Sequence, residues 1–143
     1  MFLRDPSAYH GEKNKRPFFE GWYNKLVTDD DQSLAIIPGI YRSGVNKNQT
    51  VFIMIFDGGS VDVFYERFDV QQFSCSTSSY DLHIGSNYFS SQQIILDIES
   101  ETLTIKGQVT TDNLKPWPVT IFEPGAVWAG TLMCPLWNVF MAF

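Results

Sequence analysis

TVFIMIFDGGSVDVFYERF, residues 50–68, decides the fold. Two runs rich in β-branched and aromatic residues flank Asp57-Gly58-Gly59-Ser60. Runs of this kind on either side of an Asp-Gly turn read as two antiparallel strands joined by a hairpin. Thr50 to Phe56 is apolar on both faces, as in a central strand. Val61 to Phe68 has two assignments. Asp62, Phe64, Glu66 and Phe68 share one face. The simpler assignment puts Asp62 and Glu66 outside, with Val61, Val63 and Tyr65 inside.

The same period of two extends outward from this hairpin. Upstream, Trp22 to Thr28 reads as a strand closed by an Asp29-Asp30-Asp31 turn. Ser33 to Tyr41 reads as another, in which Pro38-Gly39 implies an edge position, a bulge or a bend. Downstream, Asp69 to Ser79 loses the pattern, with Phe73 as its inward anchor. Strands resume near Tyr80–Ile84, Ile94–Glu99 and Leu103–Thr110. No helical period is found. Consecutive short strands and tight turns predict an all-β, antiparallel fold, a barrel or a sandwich. The chain divides into a polar arm (1–17), a β module (18–130) and an apolar segment (131–143).

Composition narrows the function. Of 143 residues, 44% are hydrophobic and 18% charged, enough to build a core without metals or disulfides. Aromatics reach 15%, and such rings either fill sheet cores or line pockets for flat or isoprenoid ligands. A net charge of −6 and a pI near 4.7 exclude a nucleic-acid partner, which wants a basic face. Lys13, Lys15 and Arg16 form a small basic cluster in the solvated arm. Cys75 and Cys134 match no zinc or redox spacing and read as free thiols. The start MFLRDPSAYHGEK carries no secretory or transit pattern, and no apolar run reaches membrane-spanning length.

Phosphate loops, nucleophile elbows and paired zinc histidines are all missing. His10 lies in the polar arm, and His83 reads as a partly exposed strand residue. Asp29-Asp30-Asp31 reads as an exposed turn rather than a metal site. What remains is Phe18-Phe19-Glu20-Gly21-Trp22-Tyr23, one acid among four rings. Trp22 and Tyr23 point to opposite faces of their strand. Glu20 is either a surface residue or a carboxyl that desolvation keeps neutral, and so able to donate a proton.

RPFFEGWYNKLV followed by SLAIIPGIY resembles the opening of the tocopherol cyclase-like family, with its Phe-Glu-Gly-Trp-Tyr-x-Lys and Ala-Ile-Ile-Pro-Gly-Ile strands. DLHIGSNYFSSQQIILDI resembles the family's strand–turn–strand, and Pro116-Trp117-Pro118 with Pro124-Gly125 resembles its mid-chain entry. The resemblance runs from about Arg4 to Gly130. It implies one lipocalin-like (calycin-like) half of a two-module protein, a fold shared with carotenoid hydratase-like proteins. It also implies cyclisation of a prenylated hydroquinone to a chromanol, by protonation of an alkene and capture of the cation by the phenol oxygen. That chemistry needs a neutral acid in a dry pocket and aromatic faces near the cation, and no metal or redox cofactor.

On this reading Glu20 and Asp62 are the candidate acids, and Trp22, Tyr23 and Phe64 the walls of the substrate pocket. The partner is an apolar prenyl-quinol or lipid-like molecule. The alternative is a non-catalytic lipid- or isoprenoid-binding module, or an inactive truncated product. The sequence departs from the family at Leu132-Met133-Cys134-Pro135-Leu136-Trp137, where the family carries Met-Glu-Cys-x-His. From this departure the chain alone is expected to be inactive as a cyclase. Its apolar residues 131–143 are expected to drive self-association.

Overall fold

The computed structural model describes residues 8–11, 17–43, 48–112 and 114. The Lys13–Arg16 cluster, Cys134, the Pro116–Pro118 stretch and residues 131–143 lie outside them. Two five-stranded sheets account for most of the described chain, and every strand pairing is antiparallel. Neither sheet closes into a barrel. No α-helix occurs among the described residues, so no helix there is long and apolar enough to cross a membrane.

Sheet A is built from β1 (Phe18–Gly21), β2 (Asn24–Val27), β3 (Ser33–Arg42), β4 (Gln49–Asp57) and β5 (Val63–Phe68). β4 lies between β3 and β5, the central place that its two apolar faces require. β1 and β2 both pair with β3 in one continuous register, Gly21 opposite Gly39 and Asn24 opposite Ile36. The expected single strand from Trp22 is therefore two pieces, and the first begins at Phe18. The break falls opposite Pro38. This proline is buried inside β3, with neighbours on both sides, and not at an edge. It accepts from Trp22 N–H (2.9 Å) but has no N–H to return. The Asn24 side-chain amide donates to the Trp22 carbonyl instead (3.2 Å).

The β4–β5 hairpin turns where Asp-Gly-Gly predicts. Asp57 Oδ1 accepts from the N–H groups of Gly59 (2.8 Å) and Ser60 (3.3 Å). The left-handed residue of the turn is Val61, at φ 63°, and not a glycine. β-branched side chains adopt that conformation only under strain. Beyond it the strand faces are the reverse of the simpler assignment. Phe64, Glu66 and Phe68 turn inward, while Val63, Tyr65 and Arg67 face out. Asp62 stays exposed.

A 3-10 turn (Val70–Gln72) leads into sheet B. It is a plain meander of β6 (Phe73–Cys75), β7 (Asp81–Ile84), β8 (Asn87–Ser90), β9 (Gln93–Glu99) and β10 (Thr104–Thr110). β6 and β8 escape the sequence reading, which places strands downstream only near Tyr80–Ile84, Ile94–Glu99 and Leu103–Thr110. Gly85 takes φ 58° in the β7–β8 turn, a conformation open to glycine.

The sheets pack through one shared core. Sheet A contributes Trp22, Leu26, Ile36, Ile40, Val51, Ile53 and Ile55, and sheet B contributes Leu82, Ile84, Phe89, Ile94, Leu96, Ile98 and Val109. Burying side chains of this size is the main stabilising term, each contributing about 1.5–3 kcal/mol. Polar links cross the layers too. Tyr80 donates to Asn24 Oδ1 (3.0 Å). Ser100 and Thr102 donate to Glu66 Oε1 (2.8 and 3.0 Å).

Candidate functional site

Phe18, Glu20 and Trp22 alternate along β1 onto the face turned toward sheet B. There they meet residues 8–11, which the sequence assigns to a solvated arm. Ala8 is buried, Tyr9 N–H donates to the Ser76 carbonyl (3.0 Å), and the segment bridges the strand edges β1 and β6. An open edge at that point is blunted by this cover. The Tyr9 ring packs at 5.4 to 6.4 Å from the rings of Phe18, Trp22 and Phe73.

The cover also brings a half-buried acid and a half-buried imidazole together. His10 N–H donates to both carboxylate oxygens of Glu20 (3.2 and 3.0 Å), and its Nδ1 lies 2.8 Å from Oε1. The Glu20 side chain is 16% exposed and that of His10 33%, so Glu20 is reached from solvent past the imidazole. A carboxyl and an imidazole in such contact can pass one proton between them. The Arg42 guanidinium sits 4.7 Å from the centre of the Phe18 ring, a cation already held on an aromatic face of this site.

Cys75 borders the same site. Burial, reinforced by the charges of Glu20 and Asp81, pushes its thiol up to about 12. It is a thiol at neutral pH, and the site holds no thiolate nucleophile from this residue.

The other expected site residues scatter. Trp22 is 2% exposed and stacks on Tyr80 (6.2 Å between ring centres), so it is a pillar of the core. Tyr23 follows on the outward face, half-buried. Phe64 packs on the core from β5. Asp62 does not join Glu20. Glu20 aligns across sheet A with Ile40, Val51 and Phe68, whereas Asp62 aligns with Asp57, Leu34 and Leu26. Six residues along a strand separate the two levels, about 20 Å. The two candidate acids therefore lie apart, and the side chain in contact with Glu20 is His10. No sequence spacing signals His10, because ten positions separate it from Glu20 and no strand or helix period links the two.

Asp29–Asp31 are an exposed turn, in which the Asp30 carboxylate accepts from Thr28 and Gln32. No group of three metal-ligating side chains occurs among the described residues. His83 is exposed, beside Asp81 (3.7 Å) and the Tyr88 ring.

A second feature escapes the sequence reading altogether. On the outer face of sheet A, Phe19, Phe52 and Tyr65 stack in a row across the strands, at 5.8 and 5.3 Å between ring centres. Gly39 makes the row: a side chain there would drive into the Phe52 ring at 2.5 Å. Beside the row lies an open recess of about 370 Å³. Between the sheets, by contrast, the hollow beside Asn24 and Thr111 holds about 10 Å³, room for one water. Neither the sequence nor the fold finds a counterpart: no family model, no curated protein and no solved structure matches this chain.

Proposed function

We propose that the chain cyclises a prenylated hydroquinone to a chromanol, the chemistry of the tocopherol cyclase-like proteins that its opening strands resemble. The fold that goes with this reading is a lipocalin-like module, in which antiparallel sheets enclose or present an apolar ligand. The observation that carries it is the Glu20–His10 pair, held at 2.8 Å on the strand face that carries the clustered rings of Tyr9, Phe18 and Trp22.

The reaction is an internal addition. A proton from the Glu20–His10 pair adds to the alkene carbon that leaves a tertiary cation. The phenol oxygen then forms the new C–O bond, and its proton returns to the pair. Product and substrate are isomers, so no electron donor or acceptor enters. The faces of Tyr9 and Phe18 attract the transient positive charge. Expected inactivity rested on the apolar residues 131–143, on the family's missing second module and on its missing Glu and His near residues 132–137. Glu20 and His10 supply the same residue types from the first module.

Conversion in D2O tests this. The full chain should yield a chromanol with one non-exchangeable deuterium per turnover. Positioned acid–base groups contribute about 10²–10⁴-fold, so Glu20→Gln and His10→Gln should each lose at least the lower figure. Recovery of unchanged hydroquinone from the wild-type chain would sink the cyclase. It would leave the second reading, a non-catalytic isoprenoid- or lipid-binding module. One observation favours that rival: the aromatic recess is on the outer face of sheet A, while Glu20 is on the inner one.

A further inference from the structure

We infer that the outer face of sheet A binds a monomeric anionic amphiphile, an apolar chain or ring ending in a carboxylate or a like anion, with Arg67 as its head-group ligand. This site lies on the opposite face from Glu20, and it does not depend on the cyclase reading.

Three observations converge on that ligand. The recess of about 370 Å³ falls within the size range of small-molecule sites, and four of its lining side chains are Phe19, Phe52, Met54 and Tyr65. Phe52 is 2% exposed and forms its floor, whereas Phe19 (59%) and Tyr65 (44%) stand open to solvent. Large rings left exposed side by side mark a surface that something covers. The polar lining is Tyr41, Thr50 and Arg67, so the recess has hydroxyls and a cation but no carboxylate.

The charge decides the head group. Arg67 is the register partner of Phe52, and its guanidinium rests 5.5 Å from the centre of the Tyr65 ring. No carboxylate among the described residues pairs with it. In a chain of net charge −6, a cation kept clear of acids beside an apolar recess is complementary to an anion with an apolar body. The guanidinium fork matches a carboxylate in two parallel hydrogen bonds. Gly39 is part of the same device, because its missing side chain lets the Phe52 ring lie down and form the floor.

Calorimetric titration of the full chain tests the site, using dodecanoate, dodecanol and dodecyltrimethylammonium below their micelle concentrations. Dodecanoate should bind one to one, and dodecanol about tenfold more weakly, the worth of a charge-assisted pair. The cationic chain should not bind. Arg67→Gln should bring dodecanoate down to the dodecanol level and leave dodecanol itself unchanged, while Glu20→Gln should change neither. Amide shifts on titration should map to Phe19, Phe52 and Tyr65, a readout that holds even if a variant folds poorly. Equal affinity for acid and alcohol would overturn the assignment, as would an unaffected Arg67→Gln. So would shifts confined to the core, or binding to anionic vesicles with none to monomeric dodecanoate.

Discussion

Sheet A and sheet B share one core but treat water differently. Sheet B keeps the simple rule of a half-wet antiparallel sheet: Leu82, Ile84, Phe89, Leu96 and Ile98 face in, while His83, Asp97, Glu99 and Lys106 face out. Sheet A breaks it. Behind its buried Val51, Ile53 and Ile55 it carries Phe52, Met54, Phe19 and Tyr65 on the far side. A second apolar face costs solubility and adds nothing to the shared core. That expense teaches where to look for a ligand, and the outer recess is where it leads.

The comparison is broken most directly by two phenylalanines. Phe89 is fully buried between the sheets, so Phe89→Ala should cost about 3–5 kcal/mol by urea unfolding. Phe52 is as well covered, but by the exposed rings of Phe19 and Tyr65, which can settle into the gap. Phe52→Ala should therefore cost about 2 kcal/mol, the low end for such a truncation. Equal losses would mean that sheet A has a second rigid core and no adaptable recess.

A smaller effect probes the polar seam between the sheets. Asn24 is 3% exposed, donates to the Trp22 and Ile36 carbonyls and accepts from Tyr80. Asn24→Leu removes these three hydrogen bonds, at about 1–3 kcal/mol. Tyr80→Phe combined with Asn24→Leu should cost less than the sum of the two single changes. Additive losses would show that Asn24 and Tyr80 act independently.

The smallest effect is on the wet face of sheet B. The Lys106 ammonium, 2.9 Å from Glu99, holds the Glu99 carboxyl below its ordinary value, first by hydrogen bonding and then by charge. A carboxyl so lowered stabilises the fold above its unfolded midpoint, and that contribution fades as pH falls through the folded one. Lys106→Gln should move the Glu99 titration, followed by NMR, back up toward the ordinary glutamate range, with almost no change in unfolding temperature. An unmoved titration would remove the pair.

How much of this was readable in advance follows from how local each signal is. The Asp57–Ser60 turn needs only its own residues and their neighbours, and it lies where the sequence puts it. β10 alternates, so one of its faces had to be buried. β5 shows the limit. Its acids and rings share one face, and only packing chose Phe64 and Glu66 as the inner set, with Ser100 and Thr102 donating to the half-buried acid. The candidate acid Glu20 was visible among its aromatic neighbours, but its partner was not.

The sequence by itself determined an all-antiparallel β chain, the position of its central hairpin and one acid set among rings. Period-two patterning and turn chemistry act over a few residues, so they survive without tertiary context. Only the tertiary structure decided that Pro38 lies inside a sheet, with Asn24 supplying the bond that it cannot make. Only it joined His10 to Glu20, Tyr80 to Asn24 across 56 residues, and Phe19 to Phe52 over Gly39. Each of those contacts depends on register between strands or on irregular chain laid across an edge. No period in the sequence encodes such a pairing, because its free energy comes from surfaces that meet only once both sheets are in place.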